Sequence, residues 1–285
     1  MWLFLLSKSY KSCLRFARLF LTSGDSTMAK KDKGRINVLL TFDVDADSSV
    51  RGPYSGRPDE PVARSKGQFG PKVGLPRILN LLDKYAIKTT FFVPGWTAET
   101  YPENVKEIVR RGHEVGVHGY KHENLAQLNS QKNEAEIFRR SINRLEALVG
   151  QKPLGFRAPD WEFSPYTMEN LAKFNFMYDS SLMDSEEPYV VKSSGIVELP
   201  VAWSWDDWGQ FEIHRRSPSV VLNGWIQEFN ALYAARMPYF NLTMHPQTIG
   251  RASRIAMLEV LIKDMRKRRG VRFLRCVDLV REILS

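Results

Sequence analysis

Strand-like and helix-like segments alternate along the chain from residue 36 to its end, and this alternation constrains the fold more than any other feature. Residues 36–42 are a continuous apolar run, as expected for a strand buried on both faces of a parallel sheet. Further strands are predicted over residues 88–93, 114–117, 155–157, 196–199 and 239–244. Because no internal repeat or long linker divides the series, the repeated βα units predict one α/β domain, either a barrel or an open doubly wound sheet.

Helices are predicted between these strands from apolar spacing and from capping residues. They cover about 75–82, 102–111 and 137–149, begin at the Ser-Pro pairs 164–165 and 217–218, and end with a basic helix over about 252–269. Residues 47–72 are predicted to form a long loop instead, since they are rich in Gly and Pro. A loop of that length usually forms part of a site or a lid.

Polar residues cluster where the predicted strands end. They are Asp43 and Asp45, His118, Arg157 and His245. A barrel gathers the carboxyl ends of its strands into one mouth, so these side chains could converge from distant parts of the chain. We therefore expect a single-domain (β/α) barrel rather than an open sheet.

The composition is that of an ordinary globular protein, with 43% hydrophobic and 26% charged residues, which excludes a disordered or fibrous chain. The net charge of +9 is concentrated in residues 1–35, which hold eight Lys or Arg and two Asp. The remaining residues carry 33 basic and 30 acidic groups, so no nucleic-acid partner is expected. We interpret residues 1–35 as a basic N-terminal extension, either disordered or upstream of a true start at Met28, and residues 36–285 as the folded domain.

The compartment is inferred from what the sequence lacks. Two cysteines, Cys13 and Cys276, cannot build a disulfide framework or a cysteine-based zinc site. No run approaches about 18 uninterrupted apolar residues, so no transmembrane segment is expected. Residues 1–27 have the pattern of a basic amphipathic helix but no cleavage site. We expect a cytoplasmic protein, with membrane-surface attachment or export through this segment as the alternative; a homo-oligomer is also possible.

One constellation suggests metal chemistry. His118 and His122 lie four residues apart just after a predicted strand, and they can bind one metal ion if the loop turns helically. Asp43 and Asp45 are spaced i, i+2 and so point to the same side of an extended strand. One aspartate would complete a two-His, one-carboxylate metal site with open positions, and the other would remain free as a general base.

Four motifs resemble those of the polysaccharide deacetylase (NodB-homology) family, whose members have a distorted α/β barrel. They are Thr41-Phe42-Asp43-Val44-Asp45, His118-x-x-x-His122, Arg157-Ala158-Pro159-Asp160-Trp161 and Leu242-Thr243-Met244-His245. They occur in the family's order, and the resemblance covers nearly everything after Ile36. It implies a metal-dependent hydrolase of amide bonds other than peptide bonds.

The resemblance also implies a role for each matched residue. Asp43 would be the general base, Arg157 would hold it ionised, and His245 would be the general acid. One divalent metal, with zinc favoured by the donor types, would be bound by Asp45, His118 and His122. A backbone N–H at Asp160 would help to stabilise the oxyanion.

The sequence departs from the family pattern in three places. Val44 separates the two acids, so Asp43 and Asp45 could exchange roles, with Asp47 as a distant third candidate. Asp160 stands where the family usually has an apolar or aromatic residue. The family's Asp-Trp pair that tunes the acid histidine matches Asp207-Trp208 only by approximate position, and Asp179 competes for that role.

Other candidate residues are aromatic or are histidines outside the motifs. Three indoles fall within six residues, at Trp203, Trp205 and Trp208, where they could stack on a sugar or a flat heterocycle or pack in the core. The residues assigned to substrate binding are Asp160, Trp161, Asp207 and Trp208. His113 is interpreted as structural, and His214 as a surface residue that could contact an anionic substrate.

The expected reaction is de-N-acetylation of a sugar or glycan, such as peptidoglycan or a chitin-like oligomer. The alternative is ring opening of a small cyclic amide, imide or ureide, since relatives resembling allantoinase share these motifs. The lack of an export signal and the long insertion after the first strand favour a small substrate or a cytoplasmic precursor. A distant alternative is a non-catalytic carbohydrate-binding homologue, but the base, the acid and the ligands are all present.

Overall fold

The computed structural model describes residues 35–51 and 60–285. The basic N-terminal extension and the amphipathic pattern of residues 1–27 fall on residues 1–34, outside the described residues. No helix in the described part of the chain combines the length and the apolar character needed to cross a membrane.

The described residues contain one sheet of nine strands. In chain order these are β1 (Ile36–Asp43), β2 (Thr90–Val93), β3 (Glu114–Val117), β4 (Gly155–Phe156), β5 (Tyr178–Asp179), β6 (Tyr189–Val190), β7 (Val197–Glu198), β8 (Tyr239–Met244) and β9 (Val271–Phe273). The strands lie in the order β6-β7-β5-β4-β3-β2-β1-β8, and β9 pairs with β1. All neighbours are parallel except β6 and β7.

Strand β1 lies at the centre of the fold. β8 pairs with it along residues 37–42, while β9 pairs with residues 36–38 and β2 with residues 41–43, so both of its edges are occupied. All eight of its residues are buried. This position explains why most of the strand is apolar, because a strand covered on both faces has no solvent-facing positions.

The sheet curls into a distorted barrel, which confirms the predicted single α/β domain. After β7 the chain comes round to the far side of β8, where Asp206 forms a parallel bridge with Thr243. Side chains from β8 tie this closing segment further, because the hydroxyl of Tyr239 and the amide of Asn241 both donate to the carbonyl of Pro200. The carboxyl ends of the strands therefore meet around one mouth.

Helices follow most of the strands. They are α1 (Ser48–Arg51), α2 (Pro61–Phe69), α3 (Leu75–Lys84), α4 (Gly95–Thr100), α5 (Pro102–Arg110), α6 (Gln131–Val149), α7 (Thr167–Lys173), α8 (Pro218–Ala235), α9 (Pro246–Ile249), α10 (Ala252–Arg266) and α11 (Cys276–Leu284). Two π-helical turns (Gly70–Gly74 and Gly209–Ile213) and three 3₁₀ turns (Leu125–Gln127, Pro159–Trp161 and Trp203–Trp205) complete the regular structure of the described residues.

The prediction of a long loop over residues 47–72 was wrong for the residues that the structure describes. Helix α2 continues through the π-helical turn into α3 without a break. Two glycines of this helical segment serve close packing rather than turns: a Cβ on Gly67 would lie 2.4 Å from the carbonyl oxygen of Ala46, and one on Gly74 would lie 2.0 Å from that of Pro246. From Pro61 onwards the insertion is therefore helical, and it packs tightly beside the barrel mouth.

The predicted start of a helix at Ser164-Pro165 was also wrong, since α7 begins at Thr167. Ser164 lies just before the helix, and its hydroxyl oxygen accepts the backbone N–H of Tyr166 at 3.0 Å. Its hydroxyl donates to the fully buried carboxylate of Glu134 at 2.8 Å, and that carboxylate also accepts hydrogen bonds from Thr167 and Asn170. A buried acid on α6 thus anchors the chain that follows β4.

Candidate active site

Three of the predicted metal ligands converge at the mouth of the barrel. Asp45 follows β1, while His118 directly follows β3 and His122 lies four residues later. Oδ1 of Asp45 lies 3.4 Å from Nε2 of His118 and 3.8 Å from Nε2 of His122. One donor atom from each residue falls within 4.8 Å of the other two, so the group could hold one metal ion.

The tautomer of His118 suits metal binding. Its Nδ1 lies 2.9 Å from the carbonyl oxygen of Arg157. Because a carbonyl oxygen only accepts, Nδ1 carries the proton and the lone pair of Nε2 faces Asp45. Burial lowers the pKa of His118 despite the nearby carboxylates, which keeps the imidazole neutral.

The carboxylate of Asp45 lacks a partner on the side facing the histidines. Its Oδ2 accepts a hydrogen bond from the amide of Gln247 at 3.3 Å. Its Oδ1 is buried and has no hydrogen-bond partner among the described residues. Since an unpaired buried carboxylate oxygen is costly, the two imidazoles and this oxygen fit a divalent cation with nitrogen and oxygen ligands.

The loop between the two histidines depends on a residue that the sequence analysis did not single out. The carboxylate of Glu123 is buried, and its Oε2 accepts the backbone N–H groups of Tyr120 and Lys121, both at 2.9 Å. His122 itself has a left-handed backbone, with φ of 58°. Glu123 thus folds the loop so that both imidazoles reach the same point. Because Glu123 binds only backbone groups, it belongs to no sequence motif that could have identified it.

Asp43 is held by the buried guanidinium of Arg157. Nη1 of Arg157 donates to Oδ1 of Asp43 at 2.8 Å and to the hydroxyl of Thr41 at 3.0 Å, while Nε and Nη2 bind Ser180. The guanidinium also stacks 4.3 Å from the ring centre of Phe92. Burial alone would raise the pKa of Asp43, but Arg157 and the nearby histidines outweigh it and lower that pKa, so Asp43 is ionised.

His245 lies across the mouth from Asp43 and is paired with Asp207. Nδ1 of His245 lies 2.7 Å from Oδ1 of Asp207, and its backbone N–H donates to the same carboxylate at 3.1 Å. Nε2 of His245 points towards the two aspartates, 4.0 Å from Oδ2 of Asp43 and 3.7 Å from Oδ2 of Asp45. Burial would lower the pKa of His245, but the charge of Asp207 raises it well above the ordinary value, so the imidazole is protonated.

The competing candidates for these roles lie elsewhere. Asp179 accepts a hydrogen bond from the hydroxyl of Ser181 at 2.9 Å, and it is Asp207 that adjoins His245. Asp47 accepts one from the hydroxyl of Tyr101 at 2.7 Å, and it is not part of the metal-ligating group. His113 accepts the backbone N–H of Thr89, and burial lowers its pKa to about 4, as for a neutral structural histidine.

The residues assigned to substrate binding occupy different parts of the rim. The side chain of Asp160 is exposed, on a left-handed backbone with φ of 54°. Trp161 contacts Trp203 with ring centres 4.6 Å apart. Trp208 lies 5.9 Å from the ring of His245, whereas Trp205 is buried in the core against Phe240. Of the three neighbouring indoles, Trp203 thus lies at the rim, Trp208 beside His245 and Trp205 in the core. His214 is exposed.

A second group of donor atoms lies beside the first. Asp206, Asp207 and His245 also bring one atom each within 4.8 Å of one another. The nitrogen that His245 contributes to this group is Nδ1, which already binds Asp207. The internal hydrogen bond makes this group a poorer metal site than the one at Asp45.

The sequence of this chain is similar to those of known proteins. The profile of the family described as Polysaccharide deacetylase matches residues 30–178. The chain is 34% identical to a peptidoglycan deacetylase of Helicobacter pylori, over 88% of this chain and 97% of that protein. It is 29% identical to a peptidoglycan deacetylase-like protein of Gibberella zeae, over 82% and 81% of the two chains.

Solved structures agree with this placement. A crystal structure of a Mycobacterium smegmatis protein assigned as a polysaccharide deacetylase superposes with a TM-score of 0.83 at 36% identity, covering 92% of this chain and 94% of that one. The structure of Puue allantoinase has the same fold, with a TM-score of 0.80 at 23% identity over 88% and 91% of the two chains. With its four motifs gathered at one barrel mouth and these similarities along its length, the chain belongs to the polysaccharide deacetylase family.

Proposed function

We propose that this protein is a metal-dependent deacetylase that removes N-acetyl groups from a carbohydrate, with a peptidoglycan-type glycan as its substrate class. The observation that carries the proposal is a carboxylate that faces an imidazole across the barrel mouth. Oδ2 of Asp43 and Nε2 of His245 are 4.0 Å apart, directly beside the group formed by Asp45, His118 and His122. A base and an acid on opposite sides of one acyl group are what amide hydrolysis requires.

Asp45, His118 and His122 would hold the metal, and Asp43 would remain free to accept a proton. The position of Asp45 between the two histidines supports this division, because the charge of Asp43 is already engaged by Arg157. A divalent ion at the three ligands would polarise the acyl carbonyl and make water more acidic.

The side chains supply both proton transfers. Asp43 accepts a proton from water as the water oxygen bonds to the acyl carbon. His245 donates the proton on Nε2 to the nitrogen as the carbon–nitrogen bond breaks, and the products are acetate and a free amine. Arg157 keeps Asp43 ionised for the first step, and Asp207 keeps His245 protonated for the second.

The relatives support a glycan substrate more strongly than a small cyclic amide. The two curated relatives named above are called a peptidoglycan deacetylase and a peptidoglycan deacetylase-like protein. The likeness to Puue allantoinase is at 23% identity and concerns the fold alone. The complete set of base, acid and ligands argues against a non-catalytic carbohydrate-binding protein.

The test is acetate release from N-acetylglucosamine oligomers by zinc-loaded protein, with chelated protein and the Asp43→Asn variant as controls. Release that needs both zinc and Asp43 is the expected result. If protein that holds one zinc per chain releases no acetate but opens a cyclic imide or ureide, the glycan assignment is wrong and the alternative reaction replaces it.

A further inference from the structure

A cleft of about 480 Å³ adjoins the candidate site, within the size range of small-molecule pockets. It lies between helix α2 and the π-helical turn Gly209–Ile213. Two of its lining residues also contact the site: Gln247 donates to Asp45, and the ring of Trp208 packs against His245. A substrate that reaches the metal ligands could therefore place a second group in this cleft.

The side chains that line the cleft carry an excess of positive charge. Lys66 and Arg215 are its cations, and Glu212 is the carboxylate among its lining residues in the described part of the chain. Glu212 is shared, because it pairs with Lys66 and also with Arg254 at 2.8 Å. Burial would raise the pKa of Glu212, but these two cations outweigh it and lower that pKa, so Glu212 is ionised. The lining thus holds two cations and one carboxylate, and that carboxylate is also engaged by Arg254 from outside the cleft.

Lys66 lies against Trp208, the residue that also packs on His245. Its ammonium lies 4.5 Å from the ring centre of Trp208, and its side chain remains 37% exposed. The close packing of neighbouring Gly67 on Ala46 fixes this part of α2 beside the chain that follows β1. A lysine ammonium has three donors, so hydrogen bonding to Glu212 leaves capacity for a ligand.

Arg215 supplies a second donor group on the other side of the cleft. It follows the π-helical turn on a left-handed backbone, with φ of 50°. Its guanidinium is exposed, and no hydrogen bond or ion pair to it occurs among the described residues. The neighbouring Arg216 differs, because it donates to the side chain of Gln210.

We propose that this cleft binds a carboxylate of the substrate through Lys66 and Arg215, so that the enzyme prefers acidic N-acyl compounds to neutral ones. The proposal rests on the proposed function, and it adds the chemical class of the substrate. Charge-assisted hydrogen bonds from an ammonium and a guanidinium are the usual protein contacts of a carboxylate. Both a muramic-acid sugar and a small amide acid carry such a group.

The test is a binding measurement that does not depend on turnover. Chelated protein is titrated calorimetrically with N-acetylmuramic acid, N-acetylglucosamine and N-acetylglutamate. We expect N-acetylmuramic acid to bind about tenfold more tightly than the neutral sugar, as one charged hydrogen bond predicts. Binding of N-acetylglutamate with equal strength would identify a small amide acid, not a sugar, as the source of the carboxylate.

Substitutions then assign the preference to the cleft. Lys66→Met and Arg215→Met should each lower the acidic-to-neutral affinity ratio from about ten towards one, and Lys66→Arg should restore it because it keeps the charge. Lys72→Met is the matched control, since Lys72 lies in the same insertion but bonds Gln68 outside the cleft. Equal binding of the acidic and neutral sugars, or the same loss in Lys72→Met, would overturn the proposal.

These experiments distinguish a wrong carboxylate site from a wrong deacetylase proposal. If zinc-loaded protein deacetylates N-acetylglucosamine oligomers but shows no acidic preference, the carboxylate site is wrong and the deacetylase remains. If the preference for N-acetylmuramic acid is present but no acyl group is released from any of these compounds, the cleft is confirmed and the reaction is wrong.

Discussion

Two aspartates at the end of one strand, Asp43 and Asp45, have different proposed roles because different side chains contact them. Asp43 ends β1 and Asp45 follows two residues later, a spacing that leaves their roles open in the sequence alone. The structure gives Asp43 a guanidinium at 2.8 Å and gives Asp45 two imidazoles at 3.4 and 3.8 Å. One acid is thus stabilised as an anion by a fixed cation, and the other retains an unpaired oxygen for a ligand.

The two aspartates should therefore separate catalysis from metal binding. In Asp43→Asn we expect kcat to fall by about 10²- to 10⁴-fold, the usual contribution of a general base, with one zinc per chain retained. In Asp45→Asn we expect the zinc itself to be lost. Elemental analysis of both dialysed variants measures this. A metal-free Asp43→Asn and a metal-replete Asp45→Asn would mean that the roles are exchanged.

Asp207 should set the alkaline limit of activity. It raises the pKa of His245, and a general acid works only at pH values below its own pKa, so activity is lost as the pH rises through that raised value. In Asp207→Asn the pKa of His245 falls, and the alkaline limb of the kcat/KM profile should move to lower pH. Asp179→Asn is the matched control, since Asp179 bonds Ser181. An unmoved alkaline limb in Asp207→Asn would contradict the pairing.

At the scale of elements, apolar runs predicted the strands well, whereas the glycine content of residues 47–72 led to a wrong loop prediction. Strands β3 and β8 have the predicted bounds because each is a short run between clear helix and turn signals. Strands of two residues, such as β5 and β6, are too short to show alternation. The insertion was predicted to be a loop because its glycines suggested turns. Their actual role, a close approach to Ala46 and Pro246, depends on contacts that the local sequence cannot reveal.

The site follows the same division. Each motif residue ends a strand or lies within a few residues of one, and the structure brings these residues together at the barrel mouth; their roles stay predictions. The supporting residues were missed because they bind backbone groups or distant side chains. Glu123 binds N–H groups of its own loop, and Gln247 reaches Asp45 from α9.

The loop between the two histidines provides an element-scale prediction. Replacing Glu123 by Ala removes the acceptor of two backbone N–H groups, so the loop should relax and separate the imidazoles. We expect zinc affinity to fall about 10- to 100-fold, as for other supporting residues of metal sites. Competition with a chromogenic chelator measures it. Glu123→Gln keeps one acceptor oxygen, so its zinc affinity should fall less. Wild-type zinc affinity in both variants would contradict the role of Glu123.

At the scale of the whole molecule, the barrel assembles the site from residues 43–247. Strand β1 has the central position, with β2 and β8 as neighbours, and its carboxyl end delivers both aspartates to the mouth. The closing bridge between Asp206 and Thr243 brings Asp207 to His245, which directly follows β8. The segment that closes the barrel therefore also places Asp207 beside His245.

The catalytic unit should consequently be residues 36–285. All proposed base, acid and ligand residues lie within it, so a chain that starts at Met28 should retain the zinc content and the kcat/KM of the full chain. Side-by-side assays of the two chains measure this. A tenfold loss in the shorter chain would show that residues 1–27 contribute to the site.

The central claim is that Asp45, His118 and His122 hold the metal beside Asp43 and His245. The most direct measurement is anomalous diffraction at the zinc edge from crystals of the zinc-loaded protein. We predict one peak bounded by Oδ1 of Asp45 and Nε2 of both histidines. A peak among Asp206, Asp207 and His245 instead, or zinc-dependent activity with no peak at Asp45, would contradict it.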